Sequence, residues 1–398
     1  MDSAVFEELC QALSLEGAKS AIDRLCVVLE ERKDYGALFY ALLLRKRHEL
    51  GVSLVPTGPA QELPESVHGP YEDAIRHAAR LVGGRYLEQG DIPRAWAYFR
   101  MLGEPGPVAD ALERHQPGEG EDIQPLVEIA YHHGVNPRKG FDWILERYGI
   151  CNAITTAGGF DPALGPDVRE YCVRRLVRAL YGELCQRLEA EILRKEGAEP
   201  SAKNLPDLIA GRDWLFEDES YHIDVSHLSA VVQMSIELAG GAELDLAREL
   251  CAYGTRLSPR FLYPGEFPFE DQYRDYGIYL SALAGDDPEQ ALAHFRTKIE
   301  RGDPEGDGTR AAEVLVNLLS RLGRGRDALI VARQHLASVE PRRLQCPGLT
   351  ELCQRAGDYR ALAEIAREQD DPVHFLAGLI TAEMNSARVN EGSSDREE

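Results

Sequence analysis

Histidine, carboxylate and aromatic side chains able to support proton transfer, metal ligation or ligand clamping gather in the middle of this 398-residue chain. His132 and His133 follow Tyr131 at the end of a helical pattern over 122–133, where the dipole favours a protonated imidazole that can cap carbonyls. A structural role is the first expectation for them, and ligand or proton-transfer roles the second. His222 and His227 lie on either side of Asp224, whose carboxylate reads as an N-cap. The cap puts His227 in a first turn, where the dipole favours the neutral imidazole, the form that acts as base or metal ligand. Their five-residue spacing is not the i, i+4 spacing that sets two histidines on one helical face, and no third ligand follows.

The run 258–271 is unusual beside helical neighbours. Pro259, Pro264 and Pro268 forbid regular helix, and Phe261, Tyr263, Phe267 and Phe269 are too many rings to leave in water. The run is expected to lie extended on a helical surface with its rings between hairpins. The alternative is a lid or clamp with Glu266 or Asp271 as its polar group. Trp214, beside Glu217, reads as the anchor of a connection. Cys151 follows a helix end; a buried thiol is expected there, with a Cys–His nucleophile as the alternative. Gly83-Gly84 and Gly323-Arg324-Gly325 sit in helical contexts without a preceding strand, so no phosphate-binding loop is indicated.

The elements that must position these residues are helices. Leu, Ala, Glu and Arg dominate, and apolar residues recur at helical spacing, which predicts helix for well over half of the chain and essentially no sheet. Asn136-Pro137 opens a short helix carrying Phe141, Ile144, Leu145 and Tyr148, ending at Gly149. A helix over 167–195, about 45 Å long, carries Cys172, Leu176, Leu180, Leu184, Leu188 and Ile192, and its slanting stripe must meet more than one neighbour. A connection over 197–221 precedes a helix expected over 224–239. Residues 52–66 and 386–398 have linker and tail composition.

One unit recurs: a helix, a Gly turn, and a second helix opening with Ala and then a larger apolar residue. It appears at Gly90 with Ala95, Trp96 and Phe99, at Gly285 with Ala291 and Phe295, at Gly323 with Ala328, and at Gly357 with Ala361 and Ile365. Glycine ends a helix left-handed, and a small Ala lets two helices approach. The last three glycines lie 38 and 34 residues apart, a period suited to a two-helix repeat. Over 65–105 and 270–370 the pattern resembles the tetratricopeptide repeat. At Gly90 and Gly323 the step from Gly to Ala is one residue shorter than at Gly285, and the family's first-helix tryptophan and tyrosine have no clear counterpart. The resemblance implies an all-α fold of stacked helical hairpins, an α-solenoid. Hairpins are expected over 1–130, a non-repeating helical insertion over 131–271, repeats over 272–385 and a disordered tail over 386–398.

With 67 acidic against 44 basic residues the formal charge is -23, which repels a phosphate backbone. Nucleic acid is not an expected partner. Arg45, Lys46 and Arg47 with His48, and Arg174 and Arg175 with Arg178, are expected to form solvated helix faces. Eight cysteines without a CxxC pair make neither a disulfide nor a zinc framework and point to a reducing, cytoplasmic setting. The acidic, amphipathic N-terminus is no export signal, and no apolar run suits a membrane span.

Two functions follow. The first is a scaffold or interaction module holding a peptide or protein of basic or mixed charge, without a cofactor. The second is a helical enzyme or metal protein gathering His132, His133, His222, Asp224 and His227 with the aromatic loop. An acidic binding surface implies association that weakens as salt rises from about 0.05 to about 0.5 M, because screening shortens the reach of exposed charge. Binding unchanged across such a titration would assign the affinity to apolar contact instead.

Overall fold

The computed structural model describes residues 3–55, 63–159, 164–217, 220–303 and 307–394. It is 74% helix. No strand occurs among the described residues, and no helix among them is long and apolar enough to cross a membrane. The chain divides into two compact units, 1–149 and 150–398, a division that falls inside the segment 131–271 singled out by sequence.

In the first unit the helices are α1 (Ser3–Glu16), α2 (Ala18–Glu31), α3 (Tyr35–Glu49), α4 (Glu65–Glu88), α5 (Ile92–Leu102), α6 (Gly106–Arg114), α7 (Gln124–Val127) and α8 (Pro137–Trp143). From α1 to α6 each packs on its successor. Side-chain caps fix three starts. Asp34, Asp91 and Asn136 accept from the main-chain N–H of Ala37, Arg94 and Lys139 at 3.1, 3.1 and 3.3 Å, satisfying donors that the first turn leaves free. The helix expected from Asn136 is present, but its last turn, Ile144–Tyr148, is a π-turn, as is Glu128–His132 after α7. Arg47 corrects the expectation of a solvated face. It is buried, donating 3.0 Å to the Tyr71 hydroxyl and 2.7 Å to the Ser53 carbonyl.

The second unit contains α9 (Gly149–Gly158), which begins at the division, α10 (Pro166–Glu196), α11 (Leu205–Ile209), α12 (Val225–Met234), α13 (Ala242–Gly254), α14 (Gln272–Leu283), α15 (Pro288–Arg301), α16 (Asp307–Arg321), α17 (Gly325–His335), α18 (Leu349–Ala356), α19 (Tyr359–Glu368) and α20 (Pro372–Ser394). The long helix is α10, and as its slanting stripe requires it packs on α11, α12 and α13. Leu176, Leu180, Leu184, Leu188 and Ile192 are fully buried there, so truncating any one to Ala costs about 2–5 kcal/mol. From α13 to α20 each helix packs on the next. Gly285, Gly323 and Gly357 all sit at inter-helix turns with φ of 89°, 75° and 67°, a region that Cβ-bearing residues disfavour. Gly254 has a different reason to lack a side chain. A Cβ there would lie 2.4 Å from the Tyr273 ring, so α13 and α14 meet with that ring seated on bare backbone.

Two boundaries differ from the sequence expectation. The helix expected over 224–239 stops at Met234 and continues as a 3-10 turn, Ser235–Glu237. Arg321 of α16 donates to the carbonyls of Ile236 and Leu238, groups that continued helix would have used. The tail expected over 386–398 is helical through Ser394 as part of α20, and residues 395–398 lie outside the described residues, as do 56–62 of the expected linker.

The second basic cluster is also structural. Arg174 and Arg178 both bond the buried carboxylate of Glu243 on α13, and Arg174 further bonds Glu170 at 2.5 Å and the Gly240 carbonyl at 2.6 Å. Removing one partner of a buried pair leaves the other charge uncompensated. Glu243→Ala is expected to lower unfolding free energy in urea by about 3 kcal/mol. A loss under about 1 kcal/mol would show that water screens these charges as on an open surface.

Candidate functional site

The second unit carries a cleft of about 1910 Å³. Part of its lining is the aromatic loop, from which Tyr263, Glu266, Phe267 and Phe269 reach the cleft, and part is α16. The rest comes from the start of α10, from α12 and α14, from 236–239 and from 338–345.

Charge burial fixes the loop wall. Asp275, in the first turn of α14, is 1% exposed and takes three partners: Lys298 Nζ at 3.0 Å, His294 Nε2 at 2.7 Å and the Asp271 main-chain N–H at 3.0 Å. Lys298 also reaches Glu270 at 2.6 Å. Burial pushes the Glu270 carboxyl up, but the Lys298 ammonium outweighs it and holds that group below the ordinary carboxylate range. The loop is thereby pinned at Glu270 to Lys298 of α15 and at Asp271 to Asp275 of α14. Immediately before them Phe269 is buried, stacked on Tyr276 with centroids 4.0 Å apart and 5.5 Å from Phe295. The expected ring burial thus holds for Phe269, whereas Tyr263 stays 47% exposed at the mouth of the cleft.

α16 divides its residues by face. Ala311, Ala312, Leu315, Val316, Leu318 and Leu319 are buried in the stack, while Arg310, Glu313, Val314, Asn317 and Arg321 line the cleft. Arg310 meets Glu266 of the loop at 3.2 Å. Glu313 accepts the Gln345 main-chain N–H at 2.8 Å, and Asn317 donates to the Gln345 carbonyl at 2.9 Å. Across the cleft Glu170 accepts from the Ala239 N–H at 3.0 Å. The floor is Ser229 with Gln272, both buried: Gln272 Nε2 donates to the Ser229 carbonyl and hydroxyl, each at 2.9 Å. Burial pushes the Tyr279 phenol up, against the opposing charge of Arg321. The cleft holds Arg169, Arg310, Arg321 and Arg343 against Glu170, Glu237, Glu266, Glu313 and Glu340, nearly balanced in a chain of charge -23.

No protein-family model, curated protein or solved structure matches this chain. The reading of the site therefore rests on its geometry.

The other candidates from sequence lie elsewhere. Asp224 is the N-cap of α12, accepting from Ser226 N at 2.8 Å and His227 N at 3.3 Å, and the Ser226 hydroxyl with these amides holds its carboxyl low. His222 packs on Tyr253, whose hydroxyl is 3.1 Å from its main-chain N and 3.3 Å from its Nδ1. Neither His222 nor His227 lines the cleft; the loop residue Phe261 meets Tyr221, next to His222, with ring centroids 4.9 Å apart. Asp271 contributes its backbone rather than its carboxylate. His132 and His133 belong to the first unit. His133 Nδ1 accepts from Trp96 Nε1 at 2.9 Å, and His132 meets Tyr131 edge-on. Among the described residues no group of three or more His, Cys, Asp or Glu has metal-holding geometry. Cys151 is exposed in the first turn of α9, correcting the expectation of a buried thiol, while Cys172 and Cys185 are buried as expected. Trp214 is half-buried under the Lys195 ammonium, 4.2 Å from the ring centroid.

Sequence reasoning missed the α16 wall and the Asp275 centre. Polar residues at 310, 313, 317 and 321 opposite an apolar stripe are what any solvated helix face shows, and a first-turn Asp reads as an ordinary dipole partner.

His222 supplies a pH test. Burial holds its imidazole below the ordinary value of about 6.5, against the raising effect of Glu191. Between the lowered folded value and about 6.5 the unfolded chain binds more protons, so stability falls as pH falls through that window. The urea midpoint of the native chain is expected to drop between about pH 7.5 and about pH 5 by more than that of His222→Gln. Parallel drops would show that this burial does not set the acid limb.

Proposed function

We propose that the chain is a helical-repeat interaction module that holds a peptide segment of a partner protein in the cleft of its second unit. The observation that carries this reading is the kind of group the cleft walls bind. Glu170, Glu313, Asn317 and Arg321 each hold main-chain N–H or C=O groups of irregular segments, at Ala239, Gln345, Ile236 and Leu238. Main-chain groups are what an extended peptide offers at every residue, whatever its sequence.

Size and charge agree. The cleft exceeds the roughly 300–1,000 Å³ of a small-molecule site, and its polar groups are spread along the walls rather than aimed at one point. Tyr263, Phe267 and Tyr276 offer apolar contact for a side chain, and the nearly balanced arginines and glutamates suit a partner of mixed charge. Consecutive packing of helices from α13 to α20 is the arrangement a two-helix repeat of tetratricopeptide type would give, and it supports the solenoid reading.

Random peptides displayed on phage and selected on the purified chain test the proposal. Binders are expected to weaken at least about tenfold, or about 1.4 kcal/mol, when exposed Tyr263 and Arg310 are both changed to Ala, with the melting temperature unchanged. Binders indifferent to Tyr263, Phe267, Arg310 and Arg343 substitutions would remove the cleft as the site.

A further inference from the structure

Gln345 lies in the connection between α17 and α18, where residues 344–348 carry no helix. Among the described residues its main chain is held by side chains: Glu313 takes its N–H at 2.8 Å and Asn317 gives to its carbonyl at 2.9 Å. These two stand one turn apart on the cleft face of α16, about 5–6 Å between Cβ atoms. An acceptor and a donor so placed read one residue of main chain at both its polar groups and ignore its side chain. The same connection puts Ser338, Val339, Glu340 and Arg343 into the cleft. Few bonds of its own secure it: Val339 to Leu336 and Arg343 to Glu340 are local turns, and Arg343 is exposed without an ion-pair partner among the described residues. Cys346, the next residue, is half-buried, its thiol pushed up to about 12 by burial and then by Glu313 and Glu351.

We propose that Glu313 and Asn317 are the main-chain clamp of the peptide site, and that residues 338–347 occupy it as an internal ligand which a partner's extended segment displaces. The proposal rests on the cleft being a peptide site and adds how that site is read and kept closed. The chemistry follows from equivalence: any non-proline residue offers the N–H and C=O that Gln345 offers, so the clamp alone cannot tell the internal segment from an external one. Side-chain contacts along the rest of α16 then decide the exchange. From Arg310 to Arg321 the cleft face runs 11 residue steps, about 16 Å at the standard rise, room for about five residues of extended peptide. A tethered segment competes at an effective concentration in the millimolar range, so the closed form sets a threshold that only a better-fitting segment passes.

The test uses two chains and two readouts. In one, residues 338–347 are replaced by a Gly/Ser run of equal length, and circular dichroism and melting establish that it folds as the native chain does. The probe is a fluorescein-labelled peptide of residues 338–347 carrying Cys346→Ser. It is expected to bind the replaced chain at least tenfold more tightly than the native one, and to lose at least tenfold when Glu313→Gln and Asn317→Ala are added. Equal affinity for both chains, or binding indifferent to Glu313 and Asn317, overturns the proposal. The second readout needs no replacement and decides the matter if the replaced chain does not fold. Iodoacetamide labelling of the full native chain, resolved at Cys346 by mass spectrometry, is expected to accelerate at least tenfold when a cleft-selected peptide binds. An unchanged Cys346 rate with peptide bound in the cleft overturns displacement while leaving the cleft a peptide site. If selection yields no cleft binder, the peptide-site reading fails; the Glu313→Gln, Asn317→Ala chain then decides whether the clamp holds the segment, and Cys346 labelling no faster than in the native chain rejects it.

Discussion

Asp275 is almost completely buried, and a carboxylate in that position demands countercharge and hydrogen bonds at both oxygens. The wall of the cleft depends on how that demand is met. Lys298 and His294 bring α15 to it, and the N–H of Asp271 brings the end of the aromatic loop. Lys298 then holds Glu270, which leaves Phe269 no path except inward, onto Tyr276. That centre fixes the loop's C-terminal end, and the Phe261–Tyr221 and Glu266–Arg310 contacts hold the rest. Tyr263 and Glu266, which line the cleft, are thus carried on a held segment.

The all-helical character, the buried stripe of α10, the cap at Asn136 and the turns at Gly285, Gly323 and Gly357 were legible in the sequence because each is a local rule read over a few residues. The Asp224 cap was legible for the same reason, and it accounts for that carboxylate completely. What escaped was set by contacts between distant residues. Arg47 looked like part of a solvated basic run until Tyr71, 24 residues away, took its guanidinium. The helix from Asp224 looked longer because nothing near Ile236 announces that Arg321, 85 residues on, will take its carbonyl. The cleft itself drew four of the loop residues singled out by type, Tyr263, Glu266, Phe267 and Phe269, but none of the histidines.

A common device runs through the second unit. Irregular backbone is stabilised by charged or amide side chains reaching from helices, as Arg174 does for Gly240, Glu170 for Ala239, Arg321 for Ile236 and Leu238, and the Glu313–Asn317 pair for Gln345. Main-chain groups outside regular helix need hydrogen-bond partners, and with no strand among the described residues side chains supply some of what strands would otherwise give.

The packing of α13 to α20, each on its successor, carries a mechanical consequence. Pulling on the C-terminus loads only the α19–α20 contact, then α18–α19, so the stack is expected to peel in steps rather than rupture at once. Low sequence separation between contacting helices also lets each re-dock without waiting for a distant partner, so extension is reversible on fast timescales. The α10 side of the unit, tied to α13 through Glu243 across nearly 70 residues, would resist the same load as a block. Arg321 of α16 is tied in the same way to Ile236, 85 residues back, so free peeling is expected only for the helices after α16, the part that includes the connection holding Gln345.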